Sequence, residues 1–178
     1  MIKYIAFLRA INVGGHVVKM DYLKQLFVKM DFENVETFIA SGNVIFSSKS
    51  KNIKFIKDKI EKNLQANLGY NTAAFIRTVN ELKSISEYKQ FSLSELTVKE
   101  NFLYIAFLNN EPVKELKDKI LSLSNSVDEF HFNEKELYWL CRKKISESEF
   151  SGKILEKILQ ADITIRNSTT VRKIAAML

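Results

Sequence analysis

Three short segments hold the side chains best suited to chemistry. Arg9-Ala10-Ile11-Asn12-Val13-Gly14-Gly15-His16 leaves an apolar run and enters a periodic one. Its paired glycines let the backbone turn and present N–H groups, and a loop delivered to a helix N-terminus is a ready anion site. Ser41-Gly42-Asn43 divides two strand-like runs and reads as a hairpin turn. Ile165-Arg166-Asn167-Ser168-Thr169-Thr170 carries hydroxyls at Ser168 and Thr169 that would serve as a helix N-cap, just after an arginine in a chain with 22 Lys and only 5 Arg. Together Arg9, Asn12, Gly14, Gly15, Ser41, Gly42, Asn43, Arg166 and Asn167 offer guanidinium, carboxamide, hydroxyl and backbone amide groups, all suited to a phosphate, a carboxylate or a base edge. Only the neighbouring His16 titrates near neutrality, so the set favours binding over acid–base catalysis.

Other chemistries lack their patterns. Neither G-x-x-x-x-G-K-[ST] nor G-x-G-x-x-G occurs. His16 and His131 have no metal-ligand spacing, and Cys141, the one cysteine, follows Trp139 and Leu140 as a small buried hydrophobe would. Ser41 lies outside any G-x-S-x-G elbow, and no base can be placed beside it. Lys49, Lys51, Lys54, Lys57, Lys59 and Lys62 cluster, but Asp58 and Glu61 interrupt them, as on a solvated helix face. No motif names a cofactor.

The elements that must position these segments are duplicated. Tyr4-Ile5-Ala6-Phe7-Leu8 recurs as Tyr104-Ile105-Ala106-Phe107-Leu108. After the first copy, Met20, Leu23, Phe27 and Met30 mark one helix face, and 35–40 and 43–46 read as strands joined at Ser41-Gly42. Phe55, Ile56, Ile60, Leu64 and Leu68 mark a second helix that stops at Gly69, before a strand over 72–77. After the second copy, a helix opens at Glu111-Pro112 and strands are expected over 129–132 and 136–141. A short helix over 154–159, a strand over 163–166 and a terminal helix from about Thr170 complete the set.

Each half has the order β-α-β-β-α-β of the ferredoxin-like split unit. The sequence therefore predicts an α+β protein with a ferredoxin-like repeat over 1–83, a connecting segment over 84–100, and a second such repeat over 101–178 that includes a C-terminal helix. Tyr4, Ala6 and Leu8 alternate with Ile5 and Phe7, so both faces of the strand are apolar, and each repeat is expected to cover the other in one compact body. The first two strands of such a unit run the same way, which brings Arg9 and the Gly42 turn to one end of the sheet. Arg166 and Asn167 are expected to join that end, completing a single site.

The length of 178 residues, 46% hydrophobic and 27% charged content, one Pro and one Cys describe an ordinary globular chain and exclude collagen-like, disordered and disulfide-framework classes. The longest apolar run, 102–108, falls far short of the ~20 residues of a membrane span, and 4–8 is too short for a signal peptide. With a single cysteine, this points to the reducing cytoplasm. The formal charge of +6 lies wholly within 1–90, which makes the first half the better partner for an anion.

The segments Leu8-Arg9-Ala10-Ile11-Asn12-Val13-Gly14-Gly15, Ile39-Ala40-Ser41-Gly42-Asn43-Val44-Ile45-Phe46, and Arg166-Asn167 with Thr170-Val171 resemble the uncharacterised bacterial family known as domain of unknown function 1697. The likeness spans nearly the whole chain. Where that family has a Trp directly after the Arg-Asn pair, this chain has Ser168. The resemblance implies a fold and the location of a site, and names no activity.

The expectation is a cytoplasmic protein that binds a small anionic ligand, such as a nucleotide or a phosphorylated metabolite. The alternative is an enzyme for a phosphorylated or acyl substrate with His16 as acid–base group. A nucleic-acid-binding module ranks below the small anion: 42–46 lacks the basic-Gly-aromatic signature of an RNA-recognition strand, and strands buried on both faces leave no stacking platform. Oligomeric state is not encoded in any motif.

Overall fold

Both copies of the apolar pentapeptide lie in interior strands of four-stranded antiparallel sheets. The computed structural model describes residues 1–12, 15, 17–39 and 41–178, and these contain eight strands and seven α-helices. The chain divides into two units, Met1–Leu82 and Lys83–Met177. Among the described residues no helix is long and apolar enough to cross a membrane.

The first unit holds β1 (Ile2–Leu8), α1 (Met20–Lys29), β2 (Glu33–Phe38), β3 (Asn43–Ser48), α2 (Ile53–Leu68) and β4 (Ala74–Thr78), with strand order β2-β3-β1-β4. α1 and α2 form because their apolar residues recur at helical spacing, and they bury Leu23, Leu26 and Phe27, and Ile56, Ile60 and Leu64. Asn52 caps α2 by accepting the Phe55 N–H at 3.0 Å, and Gly69 ends it at φ 79°. The helices cover the side of the sheet that carries Tyr4, Ala6, Leu8, Val44, Phe46, Ala74 and Ile76.

Next comes α3 (Val79–Glu87), started by a capping box in which Thr78 and Glu81 bind each other's backbone N–H at 3.2 and 2.8 Å. The second unit then holds α4 (Leu93–Leu96), β5 (Phe102–Phe107), α5 (Lys114–Leu121), β6 (Asp128–Asn133), β7 (Glu136–Cys141), α6 (Gly152–Leu159), β8 (Thr164–Asn167) and α7 (Ser168–Ala176). Its strand order is β6-β7-β5-β8, and its helix-side core contains Ala106, Leu137, Trp139, Cys141 and Leu155.

The parallel between the units extends to single bonds. Ile5 pairs with Arg77 as Ile105 pairs with Arg166, and Phe7 pairs with Asn43 as Phe107 pairs with Glu136. The Leu8 N–H donates to Gly42 O at 2.8 Å, and the Leu108 N–H to Lys135 O at 3.1 Å. A carboxylate of the second helix receives the N–H near the start of the last strand in each unit: Glu61 takes that of Ala74 at 2.9 Å, and Glu156 that of Ile163 at 3.1 Å.

Several boundaries differ from the sequence reading. β2 runs two residues earlier than 35–40, because Ile39 adopts a left-handed φ of 54° that ends the strand at Phe38. The segment 84–100, expected as a partly helical connection, contains the end of α3 and the four-residue α4. The cap of α7 is Asn167 rather than Ser168 or Thr169: its side chain accepts the Thr169 N–H at 2.8 Å, so the helix begins at Ser168.

On the helix side of the second sheet, the buried Asp128 carboxylate accepts the Trp139 indole N–H at 2.7 Å and the Ser148 hydroxyl at 2.9 Å. Cys141 lies opposite Asp128 in the ladder and is wholly buried, and burial, with the Asp128 carboxylate adding to it, raises its thiol pKa. Arg142 next door is held by Glu95 at 2.7 Å and Glu129 at 2.6 Å and turns away from thiol activation. A thiol-exchange reagent at neutral pH should therefore leave Cys141 unmodified in the native protein and label it only after denaturation. Rapid native labelling would contradict this packing.

Candidate functional site

The end of the first sheet brings two of the three sequence motifs together. β1 delivers Arg9 to the same edge at which β3 begins, because the two strands are antiparallel neighbours with Phe7 opposite Asn43. The half-buried Arg9 is fixed through its backbone, whose N–H donates to Ala73 O at 2.9 Å. The turn before β3 packs against the loop after β1 so closely that a Cβ on Gly42 would lie 2.9 Å from Ile11 Cβ and 3.2 Å from Leu8 Cβ. Gly42 also sits at φ 71°. Both the space and the conformation require glycine there.

The asparagines of this edge hold its backbone in shape. Asn12 donates from Nδ2 to Val18 O at 3.1 Å and accepts the Val18 N–H on Oδ1 at 2.6 Å, closing the loop between them. Asn43, wholly buried, donates both amide hydrogens, one to Phe38 O at 3.0 Å and one to Ser41 Oγ at 2.8 Å. Gly15 is exposed at φ 88°, with nothing within 4 Å of a Cβ placed there. Gly14 and His16 lie outside the described residues.

Left-handed backbone concentrates here. Of the seven non-glycine residues with positive φ among those described, Ala10 (61°), Asn12 (55°) and Ile39 (54°) belong to these two loops. Ala10 and Ile39 are also the two whose side chains cannot hydrogen-bond the nearby backbone, the usual compensation for this conformation. Along Ala10, Ile11 and Asn12 the sign of φ alternates. The loop then enters α1, whose N-cap position, Lys19, supplies no side-chain cap to the helix N–H groups.

Arg166 and Asn167 lie in the second unit, at the end of β8. Arg166 is buried, and donates from Nη1 to Thr164 Oγ1 at 2.8 Å and to Ile165 O at 2.9 Å; burial pushes its pKa down to about 10. Asn167 caps α7 through its side-chain oxygen. A residue that the sequence reading passed over, Arg77, holds the equivalent place in β4 and likewise donates from Nη1 to the preceding carbonyl, Ile76 O, at 2.9 Å. The signal was available: Ile-Arg occurs at 76–77 and again at 165–166. Glu136, opposite Phe107, is a second buried polar residue passed over.

His131 belongs to the second unit, where its Nε2 lies 2.9 Å from the Tyr88 hydroxyl and its ring stacks on Tyr88. Burial lowers its pKa below the ordinary 6.5. The neutral ring is therefore favoured by the fold, and the stability this contributes is present above pH 6.5 and lost as pH falls through the lowered value. The melting temperature should fall less steeply in His131→Gln than in the wild type between pH 6.5 and ~5. Equal slopes would contradict it.

Glycine substitutions separate close packing from backbone conformation. Gly42→Ala should lose about 2–4 kcal/mol, combining the left-handed and overlap penalties, whereas Gly15→Ala should lose only about 1–2 kcal/mol. Urea melts of the two variants check the order, and equal losses would contradict the close approach at Ile11.

The chain belongs to the DUF1697 family of proteins of unknown function, which it matches over residues 1–138. No curated protein matches it. Among solved structures it is similar to the conserved bacterial protein SP0830 from Streptococcus pneumoniae, with a TM-score of 0.77 and 22% identity over 100% of this chain and 98% of that one. At that identity the likeness establishes a shared fold.

Proposed function

We propose that the end of the first sheet binds a small anionic ligand, such as a nucleotide or a phosphorylated metabolite. The observation that carries the reading is the alternating handedness of Ala10, Ile11 and Asn12 beside Arg9, leading into a helix with no side-chain cap. Left-handed backbone at residues with no local compensation is strain of about 1–2 kcal/mol each, and strain of this kind clusters where a fold is shaped for a ligand. Backbone N–H groups of the loop, a guanidinium and the N-terminus of α1 all favour negative charge. Asn12, Ser41, Gly42 and Asn43 take the role of shaping this cradle, and Gly15 that of leaving it open. The +6 of residues 1–90 adds long-range attraction.

We also read each unit as a ferredoxin-like split β-α-β fold. The element order, the antiparallel pairing and the placement of β1 and β5 as interior strands support it. Burial of Ile5, Phe7, Ile45 and Phe75 leaves the first sheet no exposed aromatic face for stacking bases, which favours a small anion over RNA.

A thermal-shift comparison of AMP, glucose 6-phosphate, pyrophosphate and a short RNA tests the proposal. A ligand at a hundredfold excess over its Kd stabilises by about 2.7 kcal/mol, enough to raise the midpoint by several degrees. The small anions should raise it, and Arg9→Ala should remove the rise. A panel with no rise, or a rise that survives Arg9→Ala, would sink the reading.

A further inference from the structure

We infer that the hydroxyl of Thr72 is a ligand-contacting group of this anion site, an inference that rests on the function proposed above. Thr72 is only 4% exposed, and no hydrogen-bond partner for its Oγ1 is present among the described residues. A buried hydroxyl with nothing to bind is a loss to the fold, and most such groups in folded proteins have a partner. Thr72 keeps the hydroxyl at the sheet end where the Arg9 loop and the Gly42 turn meet.

The register gives its position. Ala74 pairs with Leu8, and Ala73 O accepts the Arg9 N–H at 2.9 Å, so the chain at 72 runs alongside the residues leaving β1. The Ala73–Arg9 bond continues the β1–β4 register by one pair, which sets the backbone of Thr72 beside Ala10. Ile11 and Val18 of the same loop belong to the helix-side core, and Asn12 ties the loop to Val18. Thr72, with its unpartnered hydroxyl, thus lies next in the chain to the residue that binds the Arg9 N–H, beside the loop over 9–12. A threonine hydroxyl donates one hydrogen bond to an anionic oxygen, so a phosphoryl or carboxylate oxygen is the chemistry that would satisfy it.

Inorganic pyrophosphate is the probe. It would be titrated into the wild type, Thr72→Val, Thr72→Ser and Arg9→Ala while the backbone amide NMR signals of Ala10, Ile11 and Asn12 are followed. Thr72→Val keeps the shape and removes the hydroxyl, and should weaken binding by roughly five- to tenfold. Thr72→Ser keeps the hydroxyl and should bind within about twofold of the wild type on the same grounds. Ligand-free Thr72→Val should melt no lower than the wild type, since no bond is lost. The inference is overturned if Thr72→Val binds as the wild type does, if Ser and Val weaken binding alike, or if ligand-free Thr72→Val melts lower. Weakening by Arg9→Ala with none by Thr72→Val removes Thr72 alone. No binding of pyrophosphate, or binding indifferent to Arg9→Ala, removes the anion site and this inference with it.

Discussion

Burial of both faces of each sheet is the constraint from which the other features follow. An antiparallel sheet with helices on one side usually leaves the other side wet. Here Ile5, Phe7 and Phe75 in the first unit are buried on the side away from α1 and α2, and Ile105, Phe107 and Leu140 in the second on the side away from α5 and α6. Any polar residue at such a register position must find its partners inside. Arg77 and Arg166 do so by turning Nη1 onto the carbonyl of the residue before, at 2.9 Å in both. Thr164 gives Arg166 a further acceptor at 2.8 Å. Desolvation takes Arg166 only to about 10, so it remains a cation at neutral pH.

With the faces closed, recognition by either sheet falls to the ends of its strands. At the end of the first sheet the backbone, more than the side chains, is arranged. Asn12 and Asn43 direct their carboxamides onto Val18, Phe38 and Ser41, and Gly42 lets one loop rest against Ile11. These contacts hold Ala10 and Ile39 in conformations that neither residue favours alone. Such rigidity suits binding: donors already in place need no ordering when a ligand arrives.

Much of the framework was legible in the sequence, since strand and helix periods are written in apolar spacing. The Tyr-Ile-Ala-Phe-Leu repeat located the two interior strands, and the hairpin at Gly42 was placed at the correct end of the sheet relative to Arg9. The local chemistry was harder to read. Nothing in the letters Ala10 or Ile39 signals left-handed backbone, because tertiary contacts impose it against local preference. The bonds that Asn12 and Asn43 make to Val18, Phe38 and Ser41 depend on tertiary placement, which residue type does not reveal. Thr72 read as the first residue of a strand that begins two residues later, which hid its unusual burial. The Ile-Arg match at 76–77 and 165–166 is too short to stand out in the sequence and gains its meaning only once the registers are aligned.

Alignment of the registers also shows that the corresponding strand ends differ in charge. The N–H that follows Phe7 meets Gly42 O, and the N–H that follows Phe107 meets Lys135 O, so the two hairpin turns are equivalent positions. At that turn the first unit has Ser41, Gly42 and Asn43, whereas the second has Glu134, Lys135 and the buried Glu136. Lys135 adds a side chain where the first unit requires none, and Glu136 puts a carboxyl where Asn43 puts an amide. The stretch after β5 reads Asn109-Asn110-Glu111-Pro112, without the arginine or the paired glycines of the loop after β1. A carboxylate at the second end would repel an anion of the kind proposed for the first. The common framework therefore carries two ends of different chemistry, and the anion-binding reading belongs to the first alone.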